Sequence, residues 1–286
     1  MKAKNILEKA FKEHYAIGAF NAANIETLKA ITNTAKKLSS PVIIEASDGE
    51  VNFIGMKQLA ALVRIYEDEL KIPIVLNLDH GKDFETCKKA IESGFDYIHF
   101  DGSKLPLEEN IKTATELVKI ARKRNVIVEG EMDRIEGSSE DHTKETTGEY
   151  LNPNLYTNPE KAKMFVEKTK IDVFASFVGN LHGLYADRKH IQIDILKKIG
   201  EAIPKTYLSL HGGSGIYEDD IKEAIKLGVV KININSEMRI AFKLTLQEAV
   251  NSTEEVAVYK YMGKPIEEVQ KVVEHKIKLF GSENKA

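Results

Sequence analysis

The sequence lacks several features of secreted and membrane proteins. Its 286 residues include a single cysteine, Cys87, so an internal disulfide is excluded and we expect a buried thiol. Tryptophan is absent, and the longest apolar runs have the length of strands, too short to cross a bilayer as helices. The first residues lack the apolar core of a signal peptide. These absences predict a cytoplasmic protein.

An excess of charge of one sign is also missing. The chain has 41 lysines and arginines against 44 aspartates and glutamates, and no basic tract stands out. This balance argues against nucleic acid as a main partner, and the lack of a spanning segment argues against a membrane. Hydrophobic residues make up 42% of the chain, which is enough for a large core. The length fits one large α/β barrel or two smaller domains.

What the chain does have is a regular alternation of apolar, strand-like runs with helical patterns. The eight predicted strands cover residues 15–20, 41–47, 72–81, 97–103, 126–132, 172–178, 207–213 and 229–236. Eight such units without a linker predict a single (β/α)8 TIM-barrel domain over residues 1–286. The tail, residues 253–286, adds a C-terminal helix near residues 265–279. An open doubly wound sheet is the alternative, weakened because no Gly-x-Gly-x-x-Gly follows the first strand.

One connection, residues 133–158, is longer and more polar than the others. It is rich in Glu, Ser, Thr and Gly. Loops of this length are usually functional or disordered. We expect a mobile active-site loop that closes over bound substrate, and the alternative is a surface insertion without a role.

Three histidines stand where predicted strands give way to loops, and a glycine follows each of them: His80, His182 and His211. In a barrel of parallel strands the carboxyl ends all lie at one rim. Three neutral imidazoles around one point form a zinc site that keeps an open coordination position, as a catalytic metal requires. We therefore predict a metal site here. The remaining histidines are expected to be structural or solvated: His14, His99, His142, His190 and His275.

Carboxylates accompany these histidines at the same predicted rim. Asp79 directly precedes His80, and Asp101 and Glu131 end the fourth and fifth strands. Buried carboxylates must be paired or bound to a cation. Asp101 and Glu131 therefore either hold a second or alternative metal position or accept hydrogen bonds from the histidine ligands. We expect Glu129 to point the opposite way along its strand and to be structural.

Glycines, hydroxyls and amides follow the seventh and eighth strands, in residues 211–215 and 233–236. This corner of a TIM barrel is the usual place for a phosphate. Glycines let backbone N–H groups approach an anion, and the following helix N-termini favour negative charge. The two neighbouring clusters predict a phosphate site.

Together these motifs resemble those of class II (zinc-dependent) ketose-bisphosphate aldolases. The matching segments, in the order of the family, are Leu-Asp-His-Gly at 78–81, Asp-Gly-Ser at 101–103, Val-Glu-Gly-Glu at 128–131, His-Gly-Leu-Tyr at 182–185, Leu-His-Gly-Gly-Ser-Gly at 210–215 and Lys-Ile-Asn-Ile-Asn-Ser at 231–236. The likeness runs from residues 18–21 to residues 279–282. Such enzymes cleave fructose 1,6-bisphosphate or tagatose 1,6-bisphosphate into dihydroxyacetone phosphate and glyceraldehyde 3-phosphate.

The resemblance implies roles for individual residues. The three histidines would bind the catalytic zinc, Asp79 would transfer the proton of the C4 hydroxyl, and Asp101 and Glu131 would lie at an alternative metal position. Arg239 would receive the far phosphate of the sugar. The implied contacts to the substrate are Ser47, Gly183, Gly212, Gly213, Ser214, Asn233, Asn235 and Ser236. Family members are dimers or tetramers, and some use a sodium or potassium ion near the phosphate.

The chain also departs from the family pattern. Ala186 stands where a lysine often helps to hold the phosphate, and Asn-Ile-Asn-Ser-Glu replaces the Asn-x-Asp-Thr-Asp common in fructose enzymes. The reaction type is unaffected, but the sugar stays open: fructose 1,6-bisphosphate, tagatose 1,6-bisphosphate or another phosphorylated ketose. Lys231 is the one strand lysine available for a Schiff base, so the metal route is favoured. The rival functions are metal-dependent hydrolysis and sugar-phosphate binding without catalysis.

Overall fold

Eight parallel strands pair edge to edge and close into a barrel in this computed structural model, which describes residues 2–286. The barrel strands are β1 (Ile17–Asn21), β2 (Val42–Ser47), β3 (Ile74–Gly81), β4 (Tyr97–Asp101), β5 (Ile127–Glu131), β7 (Val173–Ala175), β9 (Tyr207–Leu210) and β10 (Val229–Ile234). Around the barrel their order is β1, β10, β9, β7, β5, β4, β3, β2. The closed barrel confirms the predicted TIM fold and excludes the open sheet.

Helices surround the barrel and bury its outer face. They are α1 (Lys2–Lys12), α2 (Ile25–Lys37), α3 (Asp48–Ile54), α4 (Met56–Leu70), α5 (Phe84–Glu92), α6 (Leu107–Arg122), α7 (Pro159–Thr169), α8 (Ile193–Ala202), α9 (Glu218–Lys226), α10 (Ser236–Asn251), α11 (Val258–Tyr261) and α12 (Gly263–Phe280). Because strands and helices alternate, the strands are buried on both faces and read as continuous apolar runs. Within residues 2–286, none of the helices combines the length and the apolar character needed to cross a membrane.

The two ends of the chain are fixed to the barrel. Helix α1, which the sequence analysis did not predict, buries Ala3, Leu7 and Ala10 in one apolar cluster with strand residues. Helix α12 confirms the predicted C-terminal helix and packs against α2 and α10. Past its end, Ser282 Oγ lies 3.0 Å from Ser40 Oγ, and both side chains are buried. The tail is therefore part of the barrel structure.

The long connection, residues 133–158, has secondary structure of its own, which the sequence analysis missed. Strand β6 (Gly137–His142) pairs in parallel with β8 (His182–Tyr185). Two short 3-10 helices follow, Thr147–Glu149 and Pro153–Leu155. The backbone N–H and hydroxyl of Thr147 donate to the carboxylate of Asp187 at 2.8 and 2.6 Å. These contacts place the segment over the carboxyl ends of the barrel strands, and its opening and closing stays a prediction.

Candidate active site

The carboxyl ends of the strands bring the three predicted histidine ligands together. His80 lies near the end of β3, His182 opens β8 after β7, and His211 directly follows β9. His80 Nε2 lies 3.3 Å from His182 Nε2, and the rings of His80 and His211 are 4.8 Å apart. Two nitrogens bound at 2.0–2.1 Å to one tetrahedral zinc would be about 3.3–3.4 Å apart. The spacing of His80 and His182 therefore fits a shared divalent metal ion, whereas the rings of His182 and His211 lie farther apart, with centroids separated by 6.1 Å.

His211 is a buried, neutral ring whose direction is set by a carboxylate beneath it. Its Nε2 donates to Glu129 Oε1 at 2.7 Å, and this hydrogen bond leaves Nδ1 without a proton. Nδ1 faces the site, 4.0 Å from Asp79 Oδ1, and accepts from Asn233 Nδ2 at 3.2 Å. Burial lowers the pKa of His211 to about 3, although the charge of Glu129 opposes this effect. A neutral imidazole with a free nitrogen is the form that binds a metal.

His80 is oriented from its other ring nitrogen. Its Nδ1 lies 3.0 Å from Asp101 Oδ2, which leaves Nε2 directed at His182. The backbone of His80 has a φ of 49°, in the left-handed region where residues other than glycine are uncommon. Burial lowers the pKa of His80, but the charges of Asp79, Asp101 and Glu131 outweigh burial and raise it. Asp101 therefore fixes the direction of the ring.

His99 belongs to the same cluster, and of the two expected alternatives, structural or solvated, the structure excludes the second. Its side chain is fully buried, with ring centroids 4.6 Å from His80 and 4.5 Å from His211. Nδ1 of His99 accepts from the backbone N–H of His80 at 3.2 Å, and Nε2 lies 3.1 Å from Glu131 Oε2. Strand alternation could have placed His99 in the site, because it faces the same side of β4 as the predicted site residue Asp101.

Asp79 lies inside the ring of histidines. Its oxygens accept from the side-chain amides of Asn21 at 3.3 Å and Asn233 at 3.2 Å. His80 Nε2 is 4.0 Å from Asp79 Oδ1. Burial raises the pKa of Asp79, but the charge of His80, a hydrogen bond from His99 and the charge of Lys231 outweigh burial and hold it well below its usual range. Asp79 is therefore an ionised carboxylate, ready to accept a proton.

The structure also brings Asp101 and Glu131 together on neighbouring strands. The two residues are register partners in β4 and β5, and Glu131 Oε2 lies 3.7 Å from His80 Nδ1. His80, Asp101 and Glu131 have potential ligand atoms within 4.8 Å of one another, as do Asp79, His80, His99 and His211. Burial raises the pKa of Glu131. This second group matches either earlier interpretation, an alternative metal position or support for the histidine ring.

Glu129 was expected to point the opposite way along its strand, but its side chain points into the site. Residues two apart on a strand share a face, so Glu129 and Glu131 both face the barrel interior. Besides His211, Glu129 accepts from Ser209 Oγ at 2.6 Å. Burial raises its pKa, but the charges of Lys231 and the neighbouring histidines hold it well below its usual range. Glu129 is therefore a charged acceptor that positions His211.

A buried charge cluster, comprising Glu45, Tyr97, Glu129 and Lys231, fills the barrel beneath the histidines. Lys231 Nζ donates to Glu129 Oε2 at 2.9 Å and lies 3.6 Å from Glu45 Oε2. The hydroxyl of Tyr97 donates to the same oxygen of Glu129 at 2.5 Å. Burial lowers the pKa of Lys231, but the carboxylates outweigh it and raise the value. A paired ammonium is not nucleophilic, which disfavours a Schiff base at Lys231.

The predicted phosphate contacts line a narrow pocket beside the histidines. Its walls include Gly183, Gly212, Ser214, Asn233, Asn235 and Ser236, together with Asn21, Asp79, Ser139, His182 and His211. Helix α10 begins at this pocket with Ser236, so its N-terminus favours an anion there. Gly213 lies outside the lining, and its N–H donates to Asn233 O at 3.0 Å. Its N–H is therefore committed to the backbone.

A wider cleft of about 280 Å³ adjoins the phosphate pocket and opens toward solvent. Asp79 and His182 line both spaces, so the pocket and the cleft meet at the histidine cluster. The cleft walls also include Ser47, Asp101, Lys104, Glu131, Arg134 and Arg239. A substrate with one end in the pocket would place its middle beside Asp79 and its other end among these basic side chains.

Glu50, which the sequence analysis did not single out, organises this outer cleft. Its Oε2 accepts from the N–H and the hydroxyl of Ser47 at 2.8 and 3.0 Å and from Asn21 Nδ2 at 2.9 Å. Its Oε1 accepts from Arg239 Nη2 at 2.7 Å. Glu50 thus ties Ser47 and Arg239 to the amide that contacts Asp79.

Histidines and carboxylates that converge at the carboxyl ends of a closed parallel barrel place this chain among TIM-barrel proteins with a potential metal-binding group at the usual catalytic rim. A family model described as fructose-bisphosphate aldolase class II matches residues 1–285. The chain therefore belongs to the class II fructose-bisphosphate aldolase family. It is an aldolase, a carbon–carbon lyase of a metal-dependent family.

Individual relatives cover the chain almost completely. A sulfofructosephosphate aldolase of Alkalicoccus urumqiensis is 33% identical over 100% of this chain and 98% of the relative. A probable fructose-bisphosphate aldolase of Bacillus subtilis is 35% identical over 98% of this chain and 97% of the relative. The crystal structure of the YdjI aldolase of Escherichia coli superposes with a TM-score of 0.84 at 29% identity, covering 99% and 98% of the two chains.

Proposed function

We propose that this aldolase reversibly cleaves fructose 1,6-bisphosphate into dihydroxyacetone phosphate and glyceraldehyde 3-phosphate, with zinc as its metal. The observation that carries the proposal is the meeting of three imidazoles, Asp79 and the narrow pocket at one rim of the barrel. His80 and His182 would bind the metal through Nε2, and His211 through Nδ1. The relatives named as fructose-bisphosphate aldolases support the choice of sugar.

The narrow pocket would hold the phosphate of the dihydroxyacetone half. Gly183 and Gly212 have positive φ values of 100° and 61°, a backbone conformation that brings the chain close to an anion without a Cβ in the way. Ser214 and Ser236 supply hydroxyl donors, and the N-terminus of α10 adds a favourable dipole. The substrate would then be fixed with its carbonyl end at the histidines.

Asp79 would move the proton that the cleavage requires. A metal bound by the three histidines would polarise the C2 carbonyl and stabilise negative charge in the dihydroxyacetone half. Asp79 accepts the proton of the C4 hydroxyl, the C3–C4 bond breaks, and its electron pair stays on C3 while C4 becomes the aldehyde carbon. C3 then takes up one proton to give dihydroxyacetone phosphate, which balances the proton removed by Asp79. In condensation, Asp79 returns this proton to the oxygen on C4. Its lowered pKa keeps it ionised for the first of these steps.

The outer cleft would receive the second phosphate. Lys104, Arg134 and Arg239 bring positive charge to its walls, and Arg239 is held by Glu50 and by Ser139 O at 3.2 Å. Ala186, the residue before Asp187, is exposed and lines neither the narrow pocket nor the outer cleft. The outer cleft would therefore distinguish ketoses with and without a second phosphate, whereas tagatose 1,6-bisphosphate differs from fructose 1,6-bisphosphate only in configuration at C4, the carbon placed beside Asp79.

A substrate panel with metal analysis of the same sample tests this function. The zinc-loaded protein is incubated with fructose 1,6-bisphosphate, tagatose 1,6-bisphosphate and 6-deoxy-6-sulfofructose 1-phosphate, with and without a chelator. We expect cleavage of the fructose substrate, loss of activity on chelation and recovery on adding zinc. Release of inorganic phosphate without carbon–carbon cleavage, or binding without turnover, would instead favour the hydrolase or the binding protein.

The same proposal extends to the assembly and to the long connection. We propose a homodimer or homotetramer, which light scattering of the purified protein measures directly. We also propose that residues 133–158 close over bound substrate. Protection of this segment from limited proteolysis by dihydroxyacetone phosphate would support closure, and unchanged cutting would contradict it.

A further inference from the structure

Lys189 is a buried lysine with unusual partners. Its side chain is 1% exposed. The other lysines buried within residues 2–286 pair with carboxylates, Lys231 with Glu129 at 2.9 Å and Lys276 with Glu237 at 2.8 Å. Lys189 instead directs its ammonium group at backbone carbonyl oxygens. An ammonium group without a carboxylate at its tip calls for a different explanation from an ordinary buried ion pair.

Three carbonyl oxygens surround the ammonium group. Nζ donates to Leu181 O at 2.7 Å, to Gly183 O at 3.0 Å and to Gly212 O at 2.6 Å. A protonated amine has three hydrogens to donate, one for each oxygen, whereas a neutral amine has only two. Burial lowers the pKa of Lys189 to about 7, and the charge of Glu237 opposes this effect. Hydrogen bonds to accepting oxygens favour the charged form of an amine. We therefore treat Lys189 as a cation in this structure.

The three oxygens belong to the two loops that form the site. Leu181 and Gly183 flank His182, and Gly212 follows His211. Gly183 and Gly212 also line the phosphate pocket, whereas Lys189 itself does not. A Cβ at Gly212 would lie 2.2 Å from Leu181 O, so these two loops approach each other closely. The ammonium group therefore lies behind the pocket and joins both walls.

The backbone of Lys189 is fixed to the same region. Its N–H donates to Gly215 O at 2.9 Å, and its carbonyl accepts from the N–H of Tyr217 at 3.1 Å. These hydrogen bonds hold the Cα beside the loop after β9, so the long side chain reaches the oxygens from a defined origin. The lysine, which follows β8 in the chain, is thus fixed beside the loop after β9 that it stabilises.

Groups of converging backbone carbonyl oxygens are what sodium and potassium ions take as ligands in place of water. The family resemblance led us to expect such an ion near the phosphate. We propose that the ammonium group of Lys189 acts as an internal cation that holds the carbonyl oxygens of Leu181, Gly183 and Gly212. The protein then forms its phosphate pocket without a bound sodium or potassium ion at this position. This inference rests on the proposed function only in assigning the pocket to a phosphate.

The wild-type protein provides the first test. Thermal unfolding of the zinc-loaded full chain and its affinity for dihydroxyacetone phosphate are measured in potassium, sodium and tetramethylammonium chloride at equal ionic strength. We expect the same Tm in all three salts and affinities that agree within about twofold, because an ion without a site on the folded protein cannot shift these equilibria. A Tm and affinity that rise specifically with potassium or sodium would overturn the proposal.

Lys189→Ala provides the second test, because it leaves the carbonyl oxygens without a cation and opens space for one. In tetramethylammonium chloride we expect its affinity for dihydroxyacetone phosphate to fall about tenfold or more. Potassium or ammonium ions should restore much of this loss and raise its Tm. Broadening of the sodium NMR signal by the variant, but not by the wild type, would report the new ion site directly. Full affinity of the variant in tetramethylammonium chloride would contradict the proposal, as would a loss that no small cation restores.

Lys276→Met is the matched control. Lys276 also supports the loop after β9, since its partner Glu237 accepts from the N–H of Gly215 at 2.8 Å. Its loss should lower the Tm equally in all three salts, because it frees a carboxylate and not a group of carbonyl oxygens. If Lys189→Ala fails to fold, the wild-type salt series still decides. If the wild type binds no dihydroxyacetone phosphate, the proposed function fails while the Tm series still tests Lys189.

Discussion

The histidines at the rim and the buried charge cluster beneath them differ in how their polar groups are paired. In the cluster, the ammonium group of Lys231 meets the carboxylate of Glu129 at 2.9 Å. At the rim, His80 Nε2 and His182 Nε2 face each other at 3.3 Å, and at most one hydrogen fits between them. Two imidazole nitrogens this close together can share one hydrogen or one cation. The lower layer therefore already holds its own cation, the ammonium group of Lys231, whereas the upper layer offers ring nitrogens to a metal ion.

The largest expected effect comes from changing the carboxylate of the upper layer. Asp79→Asn keeps the shape of the side chain but removes the base, so we expect kcat to fall by about 10²–10⁴-fold. The zinc content should stay at the wild-type level, because the three histidines remain in place. Steady-state kinetics and metal analysis on one sample measure both. A wild-type kcat would remove Asp79 from the proposed mechanism.

Glu129→Gln tests whether the lower layer positions the upper one. The amide no longer supplies a charged acceptor to His211 Nε2, so we expect affinity for zinc to fall by about 10–100-fold. Glu45→Gln is the matched control, because Glu45 also lies near Lys231 but makes no contact with His211. Competition with a zinc-binding dye measures both variants. Equal zinc affinity in the two variants would contradict a positioning role for Glu129.

A smaller effect should appear in the pH dependence of stability. Burial raises the pKa of Glu45 to about 8, with Asp79 adding to the shift and Lys231 opposing it. A carboxyl group whose pKa is higher in the folded state contributes stability below its unfolded pKa, and this contribution is lost as pH rises through the folded value. We therefore expect the wild type to lose stability relative to Glu45→Gln between about pH 4.5 and pH 8. Thermal unfolding at a series of pH values measures the difference, and parallel curves would contradict it.

The barrel could be predicted from the sequence because eight buried strands and their helices each produce a recognisable hydrophobic pattern. It was also sufficient to bring His80, His182 and His211 to one rim, since strand ends in a barrel converge. Helix α1 was missed because the short N-terminal pattern was considered only as a targeting signal. Strands β6 and β8 were missed because they are short and polar and pair across about 40 intervening residues, which local patterns do not record.

Details within the site depended on side-chain direction and on contacts remote in sequence. His99 and Glu129 were recoverable, because each lies two residues before a predicted site residue and so shares its face. Glu50 was not, since its role depends on reaching Asn21 and Arg239, which are distant in the chain. The three carbonyl oxygens around Lys189 likewise belong to loops whose approach only the folded backbone defines.

Anomalous diffraction at the zinc absorption edge, from crystals of the zinc-loaded protein, tests the central claim most directly. The account predicts a single strong peak within about 2.0–2.1 Å of His80 Nε2, His182 Nε2 and His211 Nδ1, beside Asp79. Zinc bound elsewhere, with no metal peak between the three imidazole rings, would contradict it.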